Sequence, residues 1–146
     1  MEFLEEDAIL ACSKMAAPGL VVCSFHGPLC YANAESFMSE VLSLIDLLSI
    51  NRGAPPAPRW LVVDFDLITE IDYCGAKMLS ELQDRMEKQS VTLVFATLAQ
   101  EVADFLSDLG FHSTFRPENV FGSVDAATNA YEALNRGAQV SVRSPG

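Results

Sequence analysis

Two nearly continuous apolar runs, Trp60–Phe65 and Val91–Ala96, constrain the fold of this chain more than any other feature. Short runs without regular polar alternation are typical of strands that are covered on both faces. A helical pattern follows each run, with apolar positions at Leu79, Leu82 and Met86 after the first and at Val102, Phe105, Leu106 and Leu109 after the second. Since parallel strands need long crossover connections, this alternation predicts an α/β fold with a mainly parallel sheet. We expect the two runs to be its central, adjacent strands.

Further strands and helices are predicted on both sides of these runs. Two short strands are indicated at Leu20–Phe25 and Leu29–Tyr31, and because only a turn separates them, we expect a hairpin-like antiparallel edge pair. Asn33 is a suitable N-cap for a first helix, and Ser123 is one for a last helix. With a short strand at Val120–Phe121, the predicted order is β-β-α-β-α-β-α-β-α, with about four helices.

The length of 146 residues fits one domain. We expect this domain to occupy residues 19–135, after a lead-in or linker over 1–18 and before a flexible tail over 136–146. Inside it, Thr97 and Gln100 have the spacing of a capping box at the start of the third helix.

The charge balance limits the partners of the chain. Twenty acidic side chains against nine basic ones give a formal net charge of −11. Such a charge repels phosphate backbones and anionic lipid headgroups, so binding to nucleic acid or directly to a membrane surface is disfavoured. No apolar run approaches the ~20 residues of a membrane helix, and no signal-peptide pattern is present. We therefore predict a soluble domain.

Motifs that carry chemistry are scarce. The four cysteines form no C-x-x-C pair and have no histidine at zinc spacing, which favours free thiols. Asp64 and Asp66 follow a strand, but solvated loop carboxylates are a simpler interpretation than metal ligands. Neither the G-x-x-x-x-G-K-[ST] motif nor the G-x-G-x-x-G motif of nucleotide-binding proteins is present. The sequence predicts no catalysis, no metal and no cofactor.

One segment, between the first apolar run and the second helix, is the candidate functional site. Its last four residues fall at a helix N-terminus, where free N–H groups and the helix dipole can hold an anion or an acidic side chain of a partner. A simpler interpretation is that Asp72 caps the helix and Gly75 allows close packing. The candidate residues are Thr69, Glu70, Asp72, Tyr73, Cys74 and Gly75.

A resemblance to a known family is carried by the same region. The stretches Val62–Phe65 and Ile71–Ala76 are similar to the centre of STAS domains, which occur in sulfate transporters and anti-sigma-factor antagonists. Members carry a hydrophobic strand ending in Asp, a loop closing on Ile-Asp-Ser-Ser-Gly or a variant, and then a helix. Leu109–Phe111 and Glu118–Phe121 match as well, so the resemblance covers about residues 19–134. It implies the STAS fold.

The amino-terminal part indicates a branch of that family. Gly27–Ala34 resembles the second strand of the STAS domain in bacterial SulP-type anion permeases, which typically reads Pro-Leu-aromatic-aromatic-Ala-Asn-Ala. This resemblance implies a domain at the cytoplasmic face of the membrane that follows the membrane transport domain of the same polypeptide. It also implies a regulatory and assembly role in uptake of sulfate or bicarbonate, with a homodimer or a cytosolic regulatory protein as further partners.

The sequence departs from the family at Tyr73 and Cys74, where phosphorylation-switched members carry a Ser-Ser pair. A thiol is not a substrate for a serine kinase, so that switch is not expected here. Two alternatives remain open. One is a stand-alone signalling protein of the anti-sigma-factor-antagonist kind, and the other is a module that binds a nucleotide or another small ligand at the candidate site.

Overall fold

The structure, a computed structural model, describes residues 10–50 and 57–143. Within these ranges the strands are β1 (Leu10–Ala17), β2 (Leu20–Phe25), β3 (Gly27–Leu29), β4 (Trp60–Asp64), β5 (Ile68–Ile71), β6 (Thr92–Ala96) and β7 (Val120–Phe121). The helices are α1 (Ala34–Ile50), α2 (Tyr73–Lys88), α3 (Gln100–Leu106) and α4 (Val124–Arg143). A wide helical turn, Ser107–Phe111, continues α3. None of the helices in the described part of the chain has the length and apolarity needed to span a bilayer.

Five strands form the main sheet in the order β1-β2-β4-β6-β7. The pairs β2–β4, β4–β6 and β6–β7 are parallel, whereas β1 runs antiparallel to β2. Val62 of β4 lies in register with Val22 on one side and with Val94 on the other. These findings confirm the predicted fold class, a mainly parallel sheet with an antiparallel edge pair and four helices. They also confirm that the two apolar runs form central, adjacent strands.

Both faces of the sheet are covered, which explains the apolar runs. Successive strand residues face opposite sides, so each central strand contributes to two cores. Leu61 and Val63 belong to a large core beneath α1, α2 and α3. Val62 belongs to a smaller core with Ala127 and Tyr131 of α4. Because the middle positions of both strands are buried on either face, polar alternation is absent from their sequences.

The prediction of the edge pair was wrong about which strands form it. The partner of β2 is β1, not the segment after Gly27, and β1 lies inside the region predicted to be a lead-in over 1–18. Pro18-Gly19 is a turn signal, and Gly19 has the positive φ of +86° that such turns require. The segment Gly27–Leu29 instead pairs in parallel with β5, in a separate two-stranded sheet.

Two further predictions differ from the structure. The capping box is absent, because α3 begins after Ala99 and the hydroxyl of Thr97 donates to Asp64 at 2.9 Å. Thr97 itself has a φ of +61°, outside the conformations that a helix start uses. At the other end of the chain, α4 continues to Arg143, so residues 136–143 are helical where a flexible tail was expected.

Candidate contact surface at the start of helix α2

Asp72 joins the start of α2 to the loop before α1. It has extended backbone angles, and its Oδ1 accepts a hydrogen bond from the N–H of Gly75 at 2.8 Å. Its Oδ2 accepts a second bond from the N–H of Tyr31 at 3.3 Å, while its own N–H donates to the carbonyl of Leu29 at 3.2 Å. Asp72 is therefore a helix cap that also anchors a second segment, in agreement with the simpler interpretation of its role.

Gly75 is the one buried member of the predicted site. A Cβ atom built on it would lie 2.4 Å from the carbonyl oxygen of Leu29, closer than real Cβ atoms approach backbone. Only glycine lets α2 come this near to β3. The residue is thus explained by packing.

The other residues at this helix start face solvent. Tyr73 is 55% exposed, and its ring lies 5.3 Å from that of Phe111, centroid to centroid. Cys74 is an exposed free thiol. Tyr31, which sequence reasoning did not select, is 76% exposed and is held beside the cap by its bond to Asp72. We call Tyr31, Tyr73 and Cys74 the α2-start surface.

No sequence signal by itself links Tyr31 to this surface. Its position follows from the pairing of β3 with β5, which the hairpin prediction excluded. The loop before α1 is fixed by Asn33, whose side chain accepts from the N–H of Cys30 at 2.9 Å and donates to the carbonyl of Pro28 at 2.8 Å. Asn33 precedes the helix as predicted, but these bonds turn its side chain back toward the loop.

Thr69 and Glu70 do not lie at the start of α2 with the other candidate residues but in β5. Both are exposed, and they line a groove of about 430 Å³ between β5 and α3. The other walls of this β5–α3 groove are Phe65, the Thr97–Ala99 segment, and Glu101, Val102 and Phe105 of α3. The candidate residues therefore divide into a helix-start group and a groove group.

The carboxylate of Asp64, at the end of β4, is engaged within the chain. Asp64 accepts hydrogen bonds from the hydroxyl of Thr97 at 2.9 Å and from the N–H of Asp66 at 3.1 Å. Among the described residues, no three histidine, cysteine or acidic side chains are grouped as a metal site would require. Asp72, as the α2 cap, adds a negative charge where an anion would have to bind.

Comparisons with known proteins agree with this architecture. The family model described as STAS domain matches residues 13–127. A probable sulfate transporter of Mycobacterium tuberculosis is 25% identical over 114 residues, and solute carrier family 26 member 10 of Mus musculus is 31% identical over 122 residues. The matches cover 78% and 82% of this chain but 19% and 18% of those proteins. The chain thus spans about a fifth of the length of these relatives.

Solved structures share the fold at low sequence identity. A sulfate transporter family protein from Wolinella succinogenes matches with a TM-score of 0.66 at 21% identity, over 84% of this chain and 93% of that one. The Bacillus cell fate determinant SpoIIAA, in its phosphorylated form, matches with a TM-score of 0.57 at 12% identity, over 82% and 97%. At these identities the likeness shows the fold alone.

Proposed function

Because the chain belongs to the STAS domain family, which the match over residues 13–127 shows, we propose that it is the cytosolic regulatory and assembly domain of a SulP-type anion transporter. The observation that carries this proposal is the similarity of about four fifths of the chain to a small part of two transporters, one of them a probable sulfate transporter. Its main partner is then the membrane transport domain of the same polypeptide. Sulfate and bicarbonate are the proposed anions, and the domain performs no catalysis of its own.

A domain attached to a transporter can change transport only if its contacts differ between the transport states. The α2-start surface is suited to such contacts, since it presents two exposed aromatic rings and a thiol on a capped helix start. Aromatic side chains supply large contact area at low entropy cost. With Tyr73 and Cys74 in place of a Ser-Ser pair, this role does not depend on serine phosphorylation.

Anion uptake by the full-length transporter tests the proposal. We expect deletion of residues 19–134 to reduce uptake or its regulation, with membrane abundance measured in parallel. Tyr73→Ala should alter uptake while leaving the fold intact. Leu134→Ala is the matched control, because Leu134 is 60% exposed on α4, at the opposite face of the sheet. Unchanged uptake, abundance and regulation after the deletion would contradict the proposal, and a fall in abundance alone would restrict the role to assembly.

Self-association is part of the proposal, as a weak dimer or a monomer of the isolated domain. The net charge of −11 opposes tight contact between two copies until enough buried area compensates. Sedimentation at increasing concentration should show a monomer or a weak dimer at moderate salt. A stable trimer or larger ring contradicts this expectation.

The signalling alternative is favoured only by the fold shared with SpoIIAA. A run of apolar helices encoded upstream in the same reading frame would support the transporter-domain proposal. Its absence from the gene would support a stand-alone signalling protein. The small-ligand alternative has less support for anionic ligands such as nucleotides, because the Asp72 carboxylate lies at the helix start where the phosphate would bind.

A further inference from the structure

The β5–α3 groove has the form of a binding site for an extended chain. Its volume of about 430 Å³ lies within the usual range of ligand pockets, roughly 300–1,000 Å³. Apolar side chains from β5 and α3, among them Ile68, Val102 and Phe105, line it. Phe105, on the α3 wall, keeps 58% of its surface exposed. A groove with apolar walls is a common form of interaction site.

The backbone of β5 offers a second feature. This strand pairs with β3 on one side, and within the described part of the chain no strand pairs with its other side. An open strand edge carries N–H and C=O groups that can pair with an added strand. All four residues of β5 line the groove, so an occupant there lies against this strand as well as against the apolar walls.

Charge determines which occupant fits. The two segments that line the groove, 65–71 and 97–105, contain four aspartate or glutamate residues and no lysine, arginine or histidine. Glu70 and Glu101 line the groove itself, and both are exposed. The negative electrostatic potential of these segments repels nucleotides, anionic lipids and a second copy of this acidic chain, and it attracts cations.

We propose that the β5–α3 groove binds a basic peptide segment of a partner protein. Apolar and cationic residues alternate in this segment, and it adds to β5 as a strand. Alternate residues of a strand face opposite sides, so the apolar side chains pack in the groove while the cationic ones stay at its exposed rim, near Glu70 and Glu101. This inference rests on the proposed function, because it names the chemistry of a partner for the same domain. It assigns Thr69 and Glu70 to a surface different from that of Tyr73.

Fluorescence polarisation with the 146-residue chain tests this inference. The probe is a labelled peptide of alternating lysine and valine, about eight residues long, which extends past both ends of the roughly 13 Å of β5. A glutamate–valine peptide of the same length is the charge control. Two further probes carry N-methyl groups on every lysine amide or on every valine amide, since only one set of amides can face β5. We expect the unmethylated lysine–valine probe to bind, with affinity falling as salt rises, and one methylated probe to lose binding.

Variants locate the site. Reversing both rim charges, Glu70→Lys with Glu101→Lys, should weaken binding about tenfold. Glu87→Lys with Glu132→Lys is the matched control, because it changes the net charge equally at exposed positions outside the groove, and it should weaken binding less than about twofold. Phe105→Ala removes an apolar wall without reversing charge and should weaken binding about threefold or more. Circular dichroism of each variant verifies that the fold is retained.

Several results would overturn the inference. Equal binding of the glutamate–valine peptide would exclude charge recognition, and equal weakening by the two charge-reversal pairs would exclude the groove. Undiminished binding of both methylated probes would exclude strand addition. Concentration-dependent self-association that Phe105→Ala abolishes would assign the groove to a second copy. None of these results bears on uptake after deletion of the domain, so the inference and the proposed function can fail separately.

Discussion

The starts of α2 and α3 occupy equivalent places in the fold but are built in opposite ways. Helix α3 follows β6 of the main sheet directly, whereas α2 follows β4 after the short β5, and both helices lie on the same face of the main sheet. The 16-residue α2 begins with a side-chain cap, Asp72, and a glycine packed against backbone. The 7-residue α3 begins after Ala99, which makes no side-chain cap bond. The start of α2 is therefore fixed by a side-chain cap and close packing, whereas the start of α3 forms a groove wall without such a cap.

Gly75→Ala should give the largest effect on the α2 side. The added Cβ would meet the carbonyl oxygen of Leu29 at 2.4 Å, and neither backbone can move without disturbing the pairing of β3 with β5. We expect a loss of about 1–3 kcal/mol in the free energy of unfolding, measured by denaturant titration. Gly122→Ala is the control, because a Cβ there meets nothing within 4 Å. Equal stability of the two variants would show that α2 is not held close to β3.

Asp72→Ala should have the next largest effect. It removes the acceptor for the N–H of Gly75 and the one for the N–H of Tyr31. Losing a helix cap costs about 1 kcal/mol, within a range of about 0.5–2. Thermal unfolding measures the change, with Asp84→Ala in the exposed middle of α2 as the control that should lose less than about 0.5 kcal/mol. A loss no greater than that of the control would mean that the cap does not stabilise α2.

Ala99→Ser should act in the opposite direction, on the α3 side. Ala99 is exposed, and its φ of −63° and ψ of 140° are those of an N-cap residue whose side chain has no oxygen to offer. A serine there can accept from a free N–H of the first turn, so we expect a gain of about 0.5–1 kcal/mol. Ala126→Ser, inside α4 and also exposed, is the control and should give no gain. A destabilised Ala99→Ser variant would show that the start of α3 is already restrained by other contacts.

The main sheet could be predicted because its signals are local and unambiguous. The apolar runs, the helical stripes and the Asp72 cap each appear as a pattern within a few residues. The predicted buried stripe of α2 is confirmed, since Leu79, Leu82 and Met86 are all fully buried. The start of the last helix is confirmed too, because the hydroxyl of Ser123 accepts from the N–H of Ala126 at 3.0 Å.

The errors arise where tertiary pairing decides. The segment of β1 has no clear alternation, so the Pro18-Gly19 turn was interpreted as the end of a linker rather than a hairpin turn. The short β3 and β5 are stabilised by each other across about 40 residues, which no local pattern indicates. Tyr31 and the groove were missed for that reason. The Thr97–Gln100 spacing fitted a capping box, but the hydroxyl of Thr97 binds Asp64 instead.

Phe105→Ala should give the smallest change in stability and tests the α3 side of the comparison directly. Phe105 belongs to the apolar helical stripe predicted for α3, and 58% of its surface is exposed. Losing the buried part of this side chain lowers the free energy of unfolding by about 1 kcal/mol, and the higher helix propensity of alanine raises it by about 0.5 kcal/mol. We therefore expect a net loss of about 0.5 kcal/mol. Phe115→Ala is the reference, since Phe115 is only 3% exposed and packs against Phe95, and its loss should be about 3–5 kcal/mol. Denaturant titration compares the two variants. A Phe105→Ala loss near that of Phe115→Ala would mean that Phe105 stabilises the core and that α3 is as restrained as α2, whereas the expected small loss leaves this ring available to an occupant of the groove.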